Sequence, residues 1–466
     1  MVVGLKGQEI RDYQPKPVAA TLIVAASDSL HPERADYLCD GVNDHVEIQA
    51  ALDAVPVTGG RVLLLEGTYS LSENIIVGDG TTLEGQGWGT ILNPTGPNIS
   101  NAGAIQLAGN CSLRNLKQVI TAGAGTAGSR PNNVVFTGTV IIDKCWLEQD
   151  ASVAGDGSDD RQVHIYSTTN TGSTISNCHL YYTSRNYGIK VTGNTKLSII
   201  NNQMYYCGIY TNNMYSRIIG NRIELVDTNK SGISCSANYC YALNNTIIKS
   251  NSISVAGWSI VIGNHIAQSF RGVSLGEYSI AVGNYVYGAT FDGFYCSSTG
   301  GSFIGNISYN CARGFNLSGT KCYVSGNKIL GTASPNAYIN TGTCNHFASD
   351  NWGIEITQIT EYSLAKNTSG GALAAGDVVV LKAVAAGNEV TTTVIQGDDN
   401  VYGMTAEAIA NNAWGLVQVK GKTTALKVNG TVDIAIGDIL GTFTAAGIAM
   451  KAAAGDQGFA LRSLYW

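Results

Sequence analysis

Charged residues make up only 13% of this chain, and its Lys and Arg gather into no basic run. A protein that grips nucleic acid through phosphates needs such a run, and the net charge of −6 also argues against that class. No apolar stretch approaches the length of a membrane span, so membrane insertion is not expected. The opening stretch "MVVGLKGQEIRDYQPKP" lacks the long apolar core of a secretion signal, which implies a chain made and folded in a cytosol. The eleven cysteines form no CxxC pair and no close Cys/His cluster. Zinc is therefore not expected, nothing in the sequence calls for a cofactor, and the cysteines read as buried free thiols. The six histidines show no triad spacing.

Glycine is abundant instead, at 56 of 466 residues against 8 prolines, and Ser, Asn and Thr carry most of the polarity. That balance excludes a coiled coil or an acidic disordered chain and suits many short strands joined by tight turns. One helix stands out in "DGVNDHVEIQAALDAVPVTGGRVLLLEGTY", residues 40–69. Asp44 can cap it, Val46, Ile48, Ala51, Leu52 and Val55 give it an apolar stripe, and Pro56 with Gly59-Gly60 ends it. "RVLLLEGTY" then reads as a strand.

Internal repetition is the strongest signal. A motif of the form apolar-x-Asn-x-apolar, often with Gly before the Asn, recurs at Asn202, Asn221, Asn245, Asn264, Asn284, Asn306 and Asn327, in steps of 19, 24, 19, 20, 22 and 21 residues. Cys145 and Cys178 hold the same place earlier, and Asn351 ends the series. A second motif, Gly-apolar-x-apolar, keeps the same period from Gly188 through Gly208, Gly232, Ser252, Gly272 and Gly293 to Gly314. Two or three short strands in about 21 residues is the signature of a parallel β-helix, taken as right-handed because parallel crossovers have that hand. The Leu pattern of a leucine-rich repeat is absent, and a propeller blade needs about twice the length.

The period assigns roles. Cys235 and Cys296 align with Val191, Val255, Leu275 and Leu317 and belong in the core. The asparagines stack one above another at about 4.8 Å, where their amides can bond each other and the turn backbone. The helix near residue 45 covers the open first coil, as terminal caps do in other solenoids.

The capping helix followed by "TTLEGQGWGT" resembles the N-terminal cap and first coil of the pectate-lyase-like superfamily, and in particular the β-helical tail-spike and tail-fibre proteins of bacterial viruses. The resemblance covers about residues 21–352. It implies a homotrimer assembled in the host cytoplasm and displayed on a virion beside other virion proteins, binding or cleaving a host surface polysaccharide; an extracellular or cell-surface location is the alternative. The paired Asp and Gly-His-Gly turn of polygalacturonase-like members, and the Arg-centred pattern of pectate lyases, do not occur here as sets, and fold alone does not imply function.

The expected organisation is an N-terminal arm (1–20), a capping helix with the strand leading into the solenoid (21–80), the parallel β-helix (81–355) and a small all-β domain (356–466). That last domain, with its "AAGD" and "AIGD" turns, resembles phage decoration and fibre domains and is suited to closing the far end and holding three chains together. The fold class is thus all-β, a parallel β-helix with an N-terminal capping helix and a C-terminal β-domain.

Columns of residues one period apart supply the candidate site. Three beyond each ladder position lie Tyr181, Tyr205, Glu224, Ile248, Ala267, Tyr287 and Tyr309, with Tyr182 and Tyr206 adjoining the first two. Tyr181, Tyr182, Tyr205 and Tyr206 beside a carboxylate form a platform for a sugar; alternatively they lie in a subunit interface or simply cover the surface. The insertion "LEQDASVAGDGSDDRQVHIYS" offers Glu148, Asp150, Asp156, Asp159 and Asp160, then Arg161 and His164. Glu148, Asp150 and Glu224 are the candidate catalytic carboxylates of a glycosidase, while the same loop could bind Ca²⁺ or be a solvated loop at a subunit contact. Arg271, Asp292 and Arg313 form a third column, an ion-pair ladder holding coils in register. Three readings stay open: a spike that recognises a host glycan, a depolymerase of the same shape (glycoside hydrolase or lyase), and a purely architectural head-fibre or capsid-decoration protein.

Overall fold

The structure, a computed structural model, describes residues 21–95, 99, 103–120, 132–149, 163–182, 187–193, 195–225, 230–332, 338–340, 346–347, 351, 361–381, 389–392, 401–420, 439–442, 449–451 and 461–462. The N-terminal arm, Asp150, Asp156, Asp159, Asp160, Arg161 and Cys344 lie outside the described residues. The chain forms two compact units, Met1–Phe270 and Arg271–Trp466.

The first unit is a parallel β-solenoid whose coils each contribute a strand to three sheets, called here sheets I, II and III. One coil shows the pattern: Ser198–Ile200 in sheet I, Gln203–Tyr205 in sheet II and Gly208–Thr211 in sheet III. Each strand alternates inward apolar with outward polar residues, so Ile199, Met204 and Ile209 are buried in the interior. Coils pair in parallel register, Ile175 with Ile199 and Ile199 with Ile218. Ladder steps in this part are 19 and 24 residues. Earlier coils are longer, as the pairing of Leu83 with Leu113 and of Ile142 with Ile175 requires, so the mean is about 23 residues per turn rather than 21.

The corners explain the sequence motif. Between sheets I and II the chain turns through one residue in the left-handed region, followed by the buried ladder residue. Asn177, Asn201, Gly220, Asn244 and Gly263 hold that corner with φ of 53–66°. Only Gly and Asn adopt it readily, which is why Gly or Asn so often precedes the ladder Asn. The second motif has a different cause. Its glycines have ordinary φ, but a Cβ on Gly208 would lie 2.3 Å from the Ser231 carbonyl oxygen and one on Gly232 2.6 Å from Ile247 Cγ2.

The helix spans His45–Asp53 and packs against the first strands of the solenoid, burying Ile48, Ala51 and Leu52. Three local expectations need correction. Val46 is exposed and lies off the buried stripe. Asp44 precedes the helix without capping it: its carboxylate accepts from Gly41 N–H (2.9 Å) and Ser70 N–H (2.7 Å), tying the helix to the first sheet II strand. "RVLLLEGTY" is two strands, Gly60–Leu64 and Gly67–Leu71, in different sheets, because the chain turns a coil corner at Leu65-Glu66.

The second unit contains further three-strand coils and a separate β-barrel. Its coils run from Arg271–Leu275 to His346–Phe347, with Phe294, Phe303 and Phe315 packed together inside; Phe294 and Phe315 stack at 4.8 Å. Glu361–Asn367, Val378–Leu381, Glu389–Thr391, Val401–Thr405 and Trp414–Lys420 close the barrel around Ala365, Leu373, Val379, Val390, Ile409 and Val417. A three-stranded antiparallel sheet follows, Ile439–Thr442, Ala449–Lys451 and Leu461–Arg462.

Candidate functional site

The outward face of sheet II in the first unit carries two parallel columns of functional side chains. On each strand the buried residue alternates with outward ones, so Trp146 and Glu148 face out around Leu147, and His179 and Tyr181 face out around Leu180. Strand register places Glu148, Tyr181, Tyr205 and Glu224 directly above one another in four successive coils. The Tyr181 and Tyr205 rings are 6.2 Å apart and tilted by 48°. Tyr206, at the corner with φ 63°, meets Tyr181 edge-on at 5.7 Å. Tyr182 ends the strand His179–Tyr182, and its side chain lies outside the description.

The second column lies one residue beyond the ladder and contains Lys117, Trp146, His179, Gln203 and Arg222. Trp146 stacks on His179 at 5.4 Å with 9° between the rings, and Lys117 Nζ sits 5.0 Å from the Trp146 ring centre. Trp88, from the corner "GQGWGT", stands perpendicular to both rings at 4.9 and 4.8 Å. None of these six was among the expected site residues, although a count of one beyond the ladder could have found Trp146, His179, Gln203 and Arg222.

The two outer carboxylates are each held by a cation. Glu148 Oε2 lies 3.2 Å from Lys117 Nζ, one coil earlier, and Glu224 Oε2 lies 3.4 Å from Arg222 on its own strand. Three strand intervals separate the two glutamates, about 14 Å at the usual spacing. Retaining glycosidases hold their carboxylates about 5–5.5 Å apart and inverting ones about 6.5–9.5 Å apart, so Glu148 and Glu224 do not stand as such a pair. What the face offers is tilted aromatic rings rimmed by two ion pairs, which suits a polar ring with one apolar face.

His164 lies at a corner, not at this face. It is fully buried, and its Nδ1 bonds Asn133 Oδ1 at 2.8 Å, an oxygen that Gln149 Nε2 also reaches at 2.9 Å. Burial lowers its pKa from 6.5 to about 3. The unfolded chain therefore takes up this proton below about pH 6.5 and the folded one only near 3. The neutral ring's stabilisation is complete above 6.5 and is lost as pH falls through that window, up to about 5 kcal/mol in total. In urea titrations, wild type loses more stability than His164→Gln between pH 6.5 and 4; parallel losses would contradict this.

Of the other expected features, the cysteines the structure describes are all buried and free. One grouping of possible ligand atoms occurs among the described residues, Cys39, Asp44 and Glu47 within 4.8 Å of one another at the cap. There the Asp44 oxygens are already bonded to backbone N–H, and burial pushes the Cys39 thiol up, so the group is packed as part of the cap. In the second unit Tyr287 and Tyr309 stack at 5.6 Å, and Arg271, Asp292 and Arg313 pair in register as the ladder expectation had them.

No protein-family model matches this sequence, and no curated protein does. Among solved structures, the catalytic unit of the GH87 α-1,3-glucanase from Streptomyces thermodiastaticus strain HF3-3 aligns with a TM-score of 0.48 and 12% identity, over 67% of this chain and 66% of that one. The Dettilon tailspike protein aligns with a TM-score of 0.42 and 14% identity, over 79% of this chain and 77% of that one. Tailspike protein 3 of bacteriophage CBA120 aligns with a TM-score of 0.44 and 12% identity, over 71% and 61%. This chain thus spans just under two thirds of the glucanase and of the CBA120 protein. At such identities the likeness is one of fold.

Proposed function

We propose that the protein is a virion-associated β-helical spike or fibre, assembled as a homotrimer, that binds a host surface polysaccharide on the outward face of sheet II. The trimer and the virion come from the resemblance at the cap and first coil; the binding face comes from the side chains. The observation that carries the reading is the column Glu148, Tyr181, Tyr205, Glu224, in which two aromatic rings lie between two acceptors that Lys117 and Arg222 hold in place. Sugar binding by proteins uses this pairing of apolar ring surface with a few fixed polar groups.

The separation of Glu148 from Glu224 supports binding rather than cleavage by that pair. The polar composition of the face, with Gln203 and Arg222 exposed between and beside the rings, favours a hydrated ligand over an apolar subunit contact.

The test is affinity for a purified host surface polysaccharide that the protein retains. Tyr205→Ala and Tyr181→Ala each weaken binding by about tenfold, because each removes one stacking surface worth about 1–1.5 kcal/mol. Thermal unfolding of the variants should stay near wild type, since both rings are outward-facing. Unchanged affinity in both variants would remove this face from the function.

A further inference from the structure

The corner "GQGWGT" supplied part of the resemblance, but the binding column makes no use of its tryptophan. Trp146 and His179 are parallel at 5.4 Å, and Trp88 is nearly perpendicular to both, equidistant at 4.9 and 4.8 Å. Trp88 packs against both rings and is still 45% exposed, so much of its indole is open to solvent. Trp146 has no comparable face free: His179 covers one and the Lys117 ammonium the other.

The flanking residues keep the Trp88 surface clear. Gly87 has φ +123° and a Cβ there would meet no other part of the chain within 4 Å, so the corner is open on that side. A Cβ on Gly89 would touch only Glu66 Cβ, at 3.8 Å. Glycine on both sides thus adds no side chain next to the indole, which packs on two other rings. That support carries no net charge at neutral pH. Burial holds the His179 imidazole below its ordinary pKa, and Lys117 is paired with Glu148.

We infer that Trp88 is the stacking floor of a subsite for a neutral pyranose, with Trp146 and His179 as its support. The subsite adjoins the tyrosine column, since Trp146 and Glu148 share one strand and His179 and Tyr181 the next. It rests on the polysaccharide-binding reading and gives it a sugar class: an uncharged ring whose C–H face covers an indole.

The probes are methyl β-D-glucopyranoside, methyl β-D-galactopyranoside, methyl α-D-mannopyranoside and, as the charged comparison, methyl β-D-glucuronide. Each is titrated into the full chain carrying 5-fluorotryptophan, with the Trp88 fluorine resonance assigned by its loss in Trp88→Phe. Trp258 and Trp414, 51% and 57% exposed, report non-specific contact. At least one neutral glycoside should shift the Trp88 resonance saturably while Trp258 and Trp414 stay in place, and the glucuronide should do so more weakly. Trp88 moving no more than the two controls with every glycoside would overturn the subsite.

With the retained polysaccharide, Trp88→Ala should weaken binding about tenfold and Trp88→Tyr much less, since a smaller ring still stacks. If Tyr205→Ala weakens binding and Trp88→Ala does not, the subsite falls while the wider reading stands.

Discussion

Replacing Asn221 by alanine should lower the unfolding free energy by about 4 kcal/mol, from one exchange at an interior residue just ahead of the strand Arg222–Glu224. Asn221 sits fully inside the solenoid, 1% exposed. Its Oδ1 accepts from Asn202 N–H at 2.9 Å and from Asn202 Nδ2 at 3.0 Å. Its Nδ2 donates to the Ile199 carbonyl at 2.9 Å and to Asn245 Oδ1 at 3.0 Å. Alanine leaves the Asn202 N–H and the Ile199 carbonyl short of a partner where water cannot follow, at about 1–3 kcal/mol for each such group, and adds a cavity. Asn221→Asp should be worse than alanine despite its equal size. It has nothing to donate, and its second oxygen would face the Ile199 carbonyl and Asn245 Oδ1. Denaturant unfolding gives the size of the loss, and amide exchange at Asn202 its location. A cost below about 1 kcal/mol, or Asp tolerated better than Ala, would mean that the ladder does not hold the coils together.

The second large effect is expected at Asp292, in the second unit. This carboxylate is fully buried between Arg271 (Nε to Oδ2, 3.1 Å) and Arg313 (Nε to Oδ1, 2.7 Å), and Asn316 Nδ2 donates to it at 3.1 Å. The Arg313 guanidinium also lies over the Phe291 ring at 3.3 Å. Burial raises the Asp292 pKa even with Arg313, Asn316 and Arg271 pulling the other way, so holding charge here is costly. A triad of this kind adds little net stability as a whole, yet breaking it strands two cations. Asp292→Ala should therefore cost about 3 kcal/mol, the lower end of the usual range, because both Arg side chains are partly exposed. Arg271→Leu, Asp292→Leu and Arg313→Leu together should cost much less than Asp292→Ala alone. A triple variant less stable than the single one would show that the ions stabilise the fold outright rather than fixing which strand lies beside which.

Both predictions rest on features that were legible in the sequence, because every coil repeats the same steric problem. From Asn202 onward the ladder asparagines and the corner residues before them recur as the chain turns from sheet I to sheet II. A count of three beyond each ladder position therefore found Tyr181, Tyr205 and Glu224 in the register they occupy. The same count from Cys145 reaches Glu148, yet that residue read as the start of a loop, because a long insertion follows it and hides the strand. Counting one beyond the ladder would have found Trp146, His179, Gln203 and Arg222.

Trp88 was out of reach of any count. It comes from a corner in an earlier turn, and only the three-dimensional crossing with Trp146 and His179 gives it a role. The break at Leu65-Glu66 was equally hidden, since an apolar run looks the same whether it continues a strand or turns a corner into the next sheet. Tyr206, bulky and in the left-handed region at φ 63°, likewise carries no local sequence signal for that conformation.

The central claim is that the sheet II face binds a glycan. Its most direct test is a paired assay of the intact protein on purified surface polysaccharides from candidate hosts. The assay scores retention together with release of new reducing ends or unsaturated sugars. The account predicts that at least one polysaccharide is retained, without release, and that Tyr181→Ala with Tyr205→Ala abolishes the retention. Release that disappears on changing Glu148, Asp150 or Glu224 to the amide would contradict it in favour of a depolymerase, and no retention from any host would contradict it in favour of an architectural protein.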